Sequence, residues 1–224
     1  MREDQGVRSI LASLFLLPIG AAFAQQLSDR DAESYLKQLA ASRSGAAVTE
    51  VDFSETRTSP LLKEPITSQG TLQFEPPDHF RREITSQNGS TMISDGTTFW
   101  IYYPALKEAE RYSIKSAGGA AAAAMQALVA AFQVRDLERL FQVTVTRVDD
   151  SYRIVLIPRQ HAQRKFVTSI ILLIGPTREL SKAAWKSPDG EITEINFANE
   201  RSIKAGDFTF HPPDGTEITT PLGR

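Results

Sequence analysis

Residues 94–104 of the chain read SDGTTFWIYYP, a turn signal followed by a strand-like run. Its first three residues, Ser-Asp-Gly, are a tight-turn signal because glycine adopts positive φ without steric cost and Asp tolerates it well. The aromatic and β-branched residues that follow suit an extended strand. Side chains of a strand alternate between faces, so Phe99 and Ile101 share one face while Trp100 and Tyr102 share the other. Both faces are apolar, and we therefore predict a strand that is covered on both sides.

The same succession of turn signals and strand-like runs continues on either side of this stretch. Asn-Gly at 88–89 and Asp-Gly at 95–96 are strong hairpin signals between extended segments. We predict about eleven strands, at 47–57, 68–75, 79–86, 90–94, 98–103, 108–114, 142–148, 152–157, 165–174, 179–186 and 191–200. A sheet of this size must curl or close. The predicted fold is therefore mainly β: an incomplete, unclosed antiparallel β-barrel around an apolar cavity, with a helical lid.

Two helical segments are available to fill the inner face of such a sheet. The first begins at Ser28 or Asp29, which are both good N-cap residues, and extends to about Gly45. The second is the alanine-rich stretch 120–132, which a short helix at 136–141 follows. Four apolar side chains of this stretch form one helical stripe, which is either a mobile lid or fixed core. The stripe consists of Met125, Leu128, Val129 and Phe132.

The first 24 residues have the features of a secretory signal peptide. The apolar run 10–17 is too short to cross a bilayer comfortably, and Ala22-Phe23-Ala24 offers the A-x-A cleavage pattern. We predict cleavage before Gln25, with residues 25–224 forming a single domain. The alternative is an uncleaved N-terminal anchor.

Composition argues against most kinds of chemistry. The 224 residues include no cysteine, which excludes disulfides, thiolate metal sites and lipid attachment at an N-terminal Cys. The three histidines lack ligand spacing, and the formal charge of −2 gives no basic field for nucleic acid. No nucleophile elbow or glycine-rich phosphate loop is present. We predict a protein that is not an enzyme, with no catalytic residue, cofactor or metal.

One charged residue lies among the predicted cavity residues. On the strand 79–86, Arg82 shares a face with Phe80 and Ile84. An arginine in this setting either extends its charged end to the rim or meets an anionic or carbonyl-bearing ligand at the cavity mouth. The sequence leaves both interpretations open.

Three segments in order resemble the LolA family of periplasmic lipoprotein carriers: GTLQFEPPDHFRREI at 70–84, the stretch at 94–104, and DFTFHPPDG at 207–215. The similarity extends loosely from about residue 32 to residue 218. It implies an incomplete barrel whose helical lid covers an apolar cavity. It also implies a periplasmic carrier, here expected to be a monomer, that takes acylated lipoproteins from an inner-membrane transporter to an outer-membrane receptor. We assign cavity and lid to Phe74, Phe80, Arg82, Ile84, Met92, Trp100, Tyr102, Met125, Leu128, Val129 and Phe132.

One departure from the family pattern bears on function. Pro76 stands where the family often has an arginine that is linked to cargo release through the lid, and Arg81 and Arg82 lie close by. Three other functions stay open: a carrier of a different lipid or pigment, an interaction module whose half-barrel is filled by its own side chains, and a lipid hydrolase. The last lacks a visible nucleophile–base pair.

Overall fold

The fold is one large antiparallel sheet wrapped around a short helix. The computed structural model describes residues 24–43, 48–86, 88–113, 132, 134 and 137–220. The sheet of this part of the chain has thirteen strands in the order β1-β8-β9-β10-β11-β12-β2-β3-β4-β5-β6-β7-β13. Their bounds are β1 Ala24–Gln26, β2 Val48–Thr58, β3 Ile66–Glu75, β4 His79–Ile84, β5 Thr91–Asp95, β6 Thr98–Tyr103, β7 Glu108–Ser113, β8 Phe141–Val148, β9 Ser151–Pro158, β10 Ser169–Ile174, β11 Leu180–Lys186, β12 Ile192–Ile203 and β13 Glu217–Thr219.

This architecture confirms the predicted mainly-β, unclosed sheet. Twelve strands pair antiparallel, and β13 alone pairs parallel, with β7. The two strands beyond the predicted eleven are the edge strands β1 and β13, each three residues long. The sequence did not indicate them, because three exposed residues are too few to show the alternation of apolar and polar side chains that marks a strand. The strand predicted at 165–174 begins only at Ser169, since a helical turn precedes it.

The described residues include three helices, of which the first is the longest and packs into the core. Helix α1 spans Asp29–Ser42, α2 spans Leu137–Leu140 and α3 spans His161–Arg164. The Ser28 hydroxyl accepts a hydrogen bond from the Asp31 backbone N–H, which confirms Ser28 as the N-cap. No helix in the described part of the chain has the length and hydropathy of a membrane span.

Helix α1 packs on the concave face of the sheet. Leu36 and Leu39 are buried in the core, and the Tyr35 ring stacks on Tyr152 of β9 with 3.9 Å between ring centroids. The sequence placed this helix inside the curved sheet, and that placement is confirmed.

The convex face of β3–β7 is covered as well, by the segment that follows β12. Phe208 packs against His79 and Phe210 packs against β6, so Ile93 is buried on this convex face. The Arg81 guanidinium donates a hydrogen bond to the Asp207 carbonyl oxygen and holds the segment at β4. In β3–β7 the sheet is therefore apolar on both faces: the concave face belongs to the main core, and the C-terminal segment covers the convex face.

The turn at the start of residues 94–104 has the predicted conformation. The Asp95 carboxylate accepts hydrogen bonds from the backbone N–H groups of Thr97 and Thr98, and Gly96 has a φ of 79°. Most of the predicted signal peptide, residues 1–23, falls outside the described residues, as do the predicted lid residues Met125, Leu128 and Val129 in 114–131. The predicted cleavage point, between Ala24 and Gln25, falls within β1.

Candidate functional site

The concave face of β2–β7 is lined by aromatic side chains. Directly paired residues of neighbouring strands lie on the same face, and the register pairs Phe74 of β3 with Phe80 of β4. The Phe80 ring centroid lies 5.7 Å from that of Phe99 on β6. All three rings are buried in the main core. Phe74 and Phe80 are therefore on the face to which the sequence assigned them.

Phe132 joins this aromatic group from the segment between β7 and β8. Its ring centroid lies 5.5 Å from that of Phe74 and 5.3 Å from that of Phe197, and only 3% of its surface is exposed. One residue of the predicted helical stripe thus contacts the concave face directly.

Ile84 and Met92 line the same face but are less deeply buried than the aromatic residues. Met92 is paired with Arg82 on one side and Ile101 on the other, and Ile84 is paired with Gly70. Both side chains are partly exposed and pack against the core. The concave face therefore keeps some open apolar surface at these two positions, beside the packed aromatic residues.

Arg82 lies on the concave face and forms an ion pair there. Its Nη2 atom lies 2.7 Å from Oε2 of Glu55 on β2, and its Cζ atom lies 4.5 Å from the centroid of the Phe53 ring. The residue is 3% exposed. Burial lowers the pKa of Arg82 from its usual value, and the Glu55 carboxylate opposes that shift.

This geometry excludes one of the two interpretations left open from sequence and shows a partner within the chain that the sequence did not indicate. Arg82 does not extend to solvent at the rim, because its side chain is almost wholly buried. Its charge is already balanced by a carboxylate of this chain, so Arg82 is arranged to hold β4 against β2. The sequence did not identify Glu55 or Phe53, which occupy alternate positions of β2.

Two residues assigned to the cavity lie on the other side of the sheet. Trp100 and Tyr102 point away from Phe99, and the Phe210 ring centroid lies 5.3 Å from the Trp100 ring and 5.2 Å from the Tyr102 ring. Arg111 lies over the Trp100 ring, with its Cζ atom 5.6 Å from the ring centroid. Their assignment to the cavity is wrong, because strand alternation places them on the convex face under the C-terminal segment.

Two tyrosine hydroxyl groups, those of Tyr112 and Tyr35, lie on the concave face. The Tyr112 hydroxyl donates a hydrogen bond of 2.6 Å to Glu110, and burial together with that bond raises the pKa of Tyr112. Burial, followed by the nearby Tyr152, raises the pKa of Tyr35 to about 12. The described residues contain no group of three or more His, Asp or Glu side chains placed to hold a metal ion.

Comparison with known proteins establishes the family. The model of the family described as outer membrane lipoprotein carrier protein LolA matches residues 44–211, about three quarters of the chain. The chain belongs to the LolA family. This confirms the resemblance seen in the three sequence segments. LolA is a carrier family by its description.

Relatives of similar length match along almost the whole chain. An outer-membrane lipoprotein carrier protein of Chromobacterium violaceum is 26% identical over 210 residues, which cover 92% of this chain and 98% of the relative. One of the same description from Shewanella sp. strain MR-7 is 24% identical over 215 residues, covering 95% and 96%. The crystal structure of an uncharacterized conserved protein from Thermus thermophilus has a TM-score of 0.52 at 7% identity, covering 85% of this chain and 99% of that one. This last likeness concerns the fold alone.

Proposed function

We propose that the protein is a periplasmic carrier that shields the acyl chains of lipoproteins, or of a related lipid, during transfer from the inner to the outer membrane. The observation that carries the proposal is the concave apolar face, where Phe74 and Phe80 lie beside the partly open positions Ile84 and Met92. Family membership supplies the cargo class. The ligand contacts at these residues and at Phe132 are part of the proposal.

The energetics favour such a role for an apolar concave face. Each buried methylene of an acyl chain contributes about 0.8 kcal/mol, so one chain of ordinary length brings a large driving force for binding. Release then requires a protein element that competes for the same face. Phe132 already packs against Phe74 and Phe197, and the stripe of Met125, Leu128 and Val129 is proposed to complete this competing surface.

The rest of the cycle follows from the same proposal. Residues 1–24 are removed on export, and residues 25–224 act as a single domain and a monomer. An inner-membrane transporter donates the cargo and an outer-membrane receptor accepts it. Since Arg82 is engaged by Glu55 rather than free, it is proposed as a structural residue and not as a substitute for the family arginine at Pro76.

Native mass spectrometry of the mature protein, purified gently from periplasm without detergent, tests the proposal. We expect a bound mass that disappears on organic extraction. Its identity separates an acylated peptide from a free lipid or pigment. A clean mass of the protein alone, together with no uptake of a fatty-acid probe, would contradict the carrier function.

That contradictory result would support the second candidate, an interaction module whose concave face is filled by its own side chains. The observation that favours this candidate is the near-complete burial of Phe74, Phe80, Phe99 and Phe132. If the protein is such a module, replacing one of these phenylalanines with alanine should lower stability and should not change the binding of any lipid.

A further inference from the structure

The large apolar side chains that are well exposed in the described residues gather at one end of the sheet. Four of them lie in or next to the connection between β2 and β3, residues 59–65. Leu61 and Leu62 lie within it and are 90% and 43% exposed, while Ile66 and Ile192 are the first residues of β3 and β12. We call this end, where β2 finishes and β3 begins, the apical end, and the opposite end the basal end.

The remaining three lie at the apical end as well. Antiparallel pairing brings the connection 104–107 to this end, and Leu106 within it is 65% exposed. Ile157 is the last residue but one of β9, next to the connection 159–168. Ile218 pairs with Ala109, the second residue of β7. The basal end contributes none of the exposed large apolar side chains found in the described part of the chain.

Two apical connections support each other. A Cβ atom on Gly190, in the connection 187–191, would lie 3.1 Å from Cγ of Pro60, so the connections 59–65 and 187–191 are in close contact. Pro60 and Pro65 also restrict the backbone around Leu61 and Leu62. The two leucines are therefore presented to solvent on a braced connection.

Charge is distributed unequally between the ends. The apical connections 59–65, 85–90, 104–107, 159–168 and 187–191 carry five basic residues, Lys63, Lys107, Arg159, Arg164 and Lys165, and three acidic ones, Glu64, Asp189 and Glu191. The described basal connections 76–78, 96–97, 149–150, 175–179 and 204–206, together with Arg43 at the end of α1, carry three basic residues, Arg43, Arg178 and Lys204, and four acidic ones, Asp78, Asp149, Asp150 and Glu179. The apical end is thus both apolar and net basic.

We propose that the apical end docks on an anionic bilayer surface, with Leu61 and Leu62 entering the boundary between headgroups and acyl chains. Exposed apolar side chains with interspersed lysine and arginine are what an interfacial membrane site requires. The exposed apolar residues are spread over several connections and do not form a pocket. This arrangement suits contact with a broad lipid surface better than binding of a single side chain from a protein partner. This proposal concerns the apical connections and not the concave face itself, although Ile84 and Met92 lie near the apical ends of β4 and β5. It stands whether or not the protein carries lipid.

Sedimentation with vesicles of phosphatidylethanolamine and phosphatidylglycerol tests the docking surface. We expect the mature protein to bind these vesicles, and Leu61→Ser/Leu62→Ser to bind them at least tenfold more weakly, since each leucine contributes on the order of tenfold when buried. The substituted side chains are exposed, so thermal unfolding should be unchanged.

A charge-matched pair of variants tests orientation. Lys63→Gln lies at the apical end and should weaken binding, whereas Lys204→Gln, which follows β12 at the basal end and is also exposed, should not. No vesicle binding by the mature protein, or equal binding by the leucine double variant, would overturn the proposal. Acyl-probe uptake measured on the same variants should be unaffected, which separates this failure from failure of the carrier function.

Discussion

The buried ion pair between Arg82 and Glu55 makes a specific prediction about stability. In Glu55→Gln the carboxylate is lost while the guanidinium stays 3% exposed against the Phe53 ring. In Arg82→Met most of the apolar stem is kept while the charge is lost. We expect both variants to be destabilised, and Glu55→Gln more strongly, because the charge left behind in that variant is the more deeply buried one.

The magnitudes follow from the burial of each partner. Leaving one charge of a buried pair uncompensated costs about 3–5 kcal/mol. Glutamine still offers an amide oxygen as acceptor, so Glu55→Gln should cost about 3 kcal/mol. The Glu55 side chain is 18% exposed and can recover water, so Arg82→Met should cost about 1–2 kcal/mol. A domain of this size loses about 2–4 °C in Tm per kcal/mol, which makes the first change about 6–12 °C.

Urea unfolding of the two single variants and of the double variant measures these terms. In Arg82→Met/Glu55→Gln neither charge remains, so the double variant should be more stable than Glu55→Gln alone, with a coupling of at least about 1.5 kcal/mol. Glu191→Gln is the control: its partner Arg57 lies 3.9 Å away on an exposed surface, and we expect a change within about 0.5 kcal/mol. Additive effects of the two core substitutions would refute the reasoning.

Three further predictions concern other parts of the molecule. Gly70→Ala should destabilise the sheet by about 2–4 kcal/mol in urea unfolding, because a Cβ atom there would overlap the Glu83 carbonyl oxygen; unchanged stability would contradict this close approach. Phe210→Ala should expose Trp100 and shift its fluorescence to longer wavelength, measured with Trp185 replaced by Phe; an unchanged spectrum would argue against cover by the C-terminal segment. Tyr35→Phe removes a buried hydroxyl that lacks a hydrogen-bond partner among the described residues, so its stability at neutral pH should be equal or higher. Because the pKa of Tyr35 is raised from 10.0 to about 12, the folded state keeps a proton that the unfolded chain loses. The contribution of Tyr35 to the free energy of unfolding is complete below about pH 10 and declines as pH rises towards 12. Urea unfolding at about pH 9 and pH 11 should therefore show that Tyr35→Phe loses less stability between the two pH values than the parent protein does.

Local signals in the sequence predicted the strands and the orientation of their side chains well. The turn at Asp95 and Gly96 set the alternation of β6, which placed Phe99 and Trp100 on opposite faces, as observed. The same rule placed Arg82 beside Phe80 on the concave face. These features depend on neighbouring residues along one strand, and such patterns are visible in a single sequence.

Long-range contacts were not predictable in the same way. Glu55 reaches Arg82 because β3 lies between β2 and β4 in a particular register, and that register comes from pairing, not from composition. The cover over Trp100 comes from Phe210, more than a hundred residues later in the chain. Both aromatic faces of β6 looked alike in sequence, so the convex one was wrongly assigned to the cavity.

The central claim is that the concave face, and not the convex face, holds an acyl chain. Binding of a fluorescent fatty acid to a matched pair of variants tests it most directly: Met92→Glu places a charge on the concave face, and Ile171→Glu places one on the convex face of β10. The account predicts that Met92→Glu abolishes binding while Ile171→Glu, folded to the same extent, binds as the parent protein does. Equal binding by both variants would contradict it.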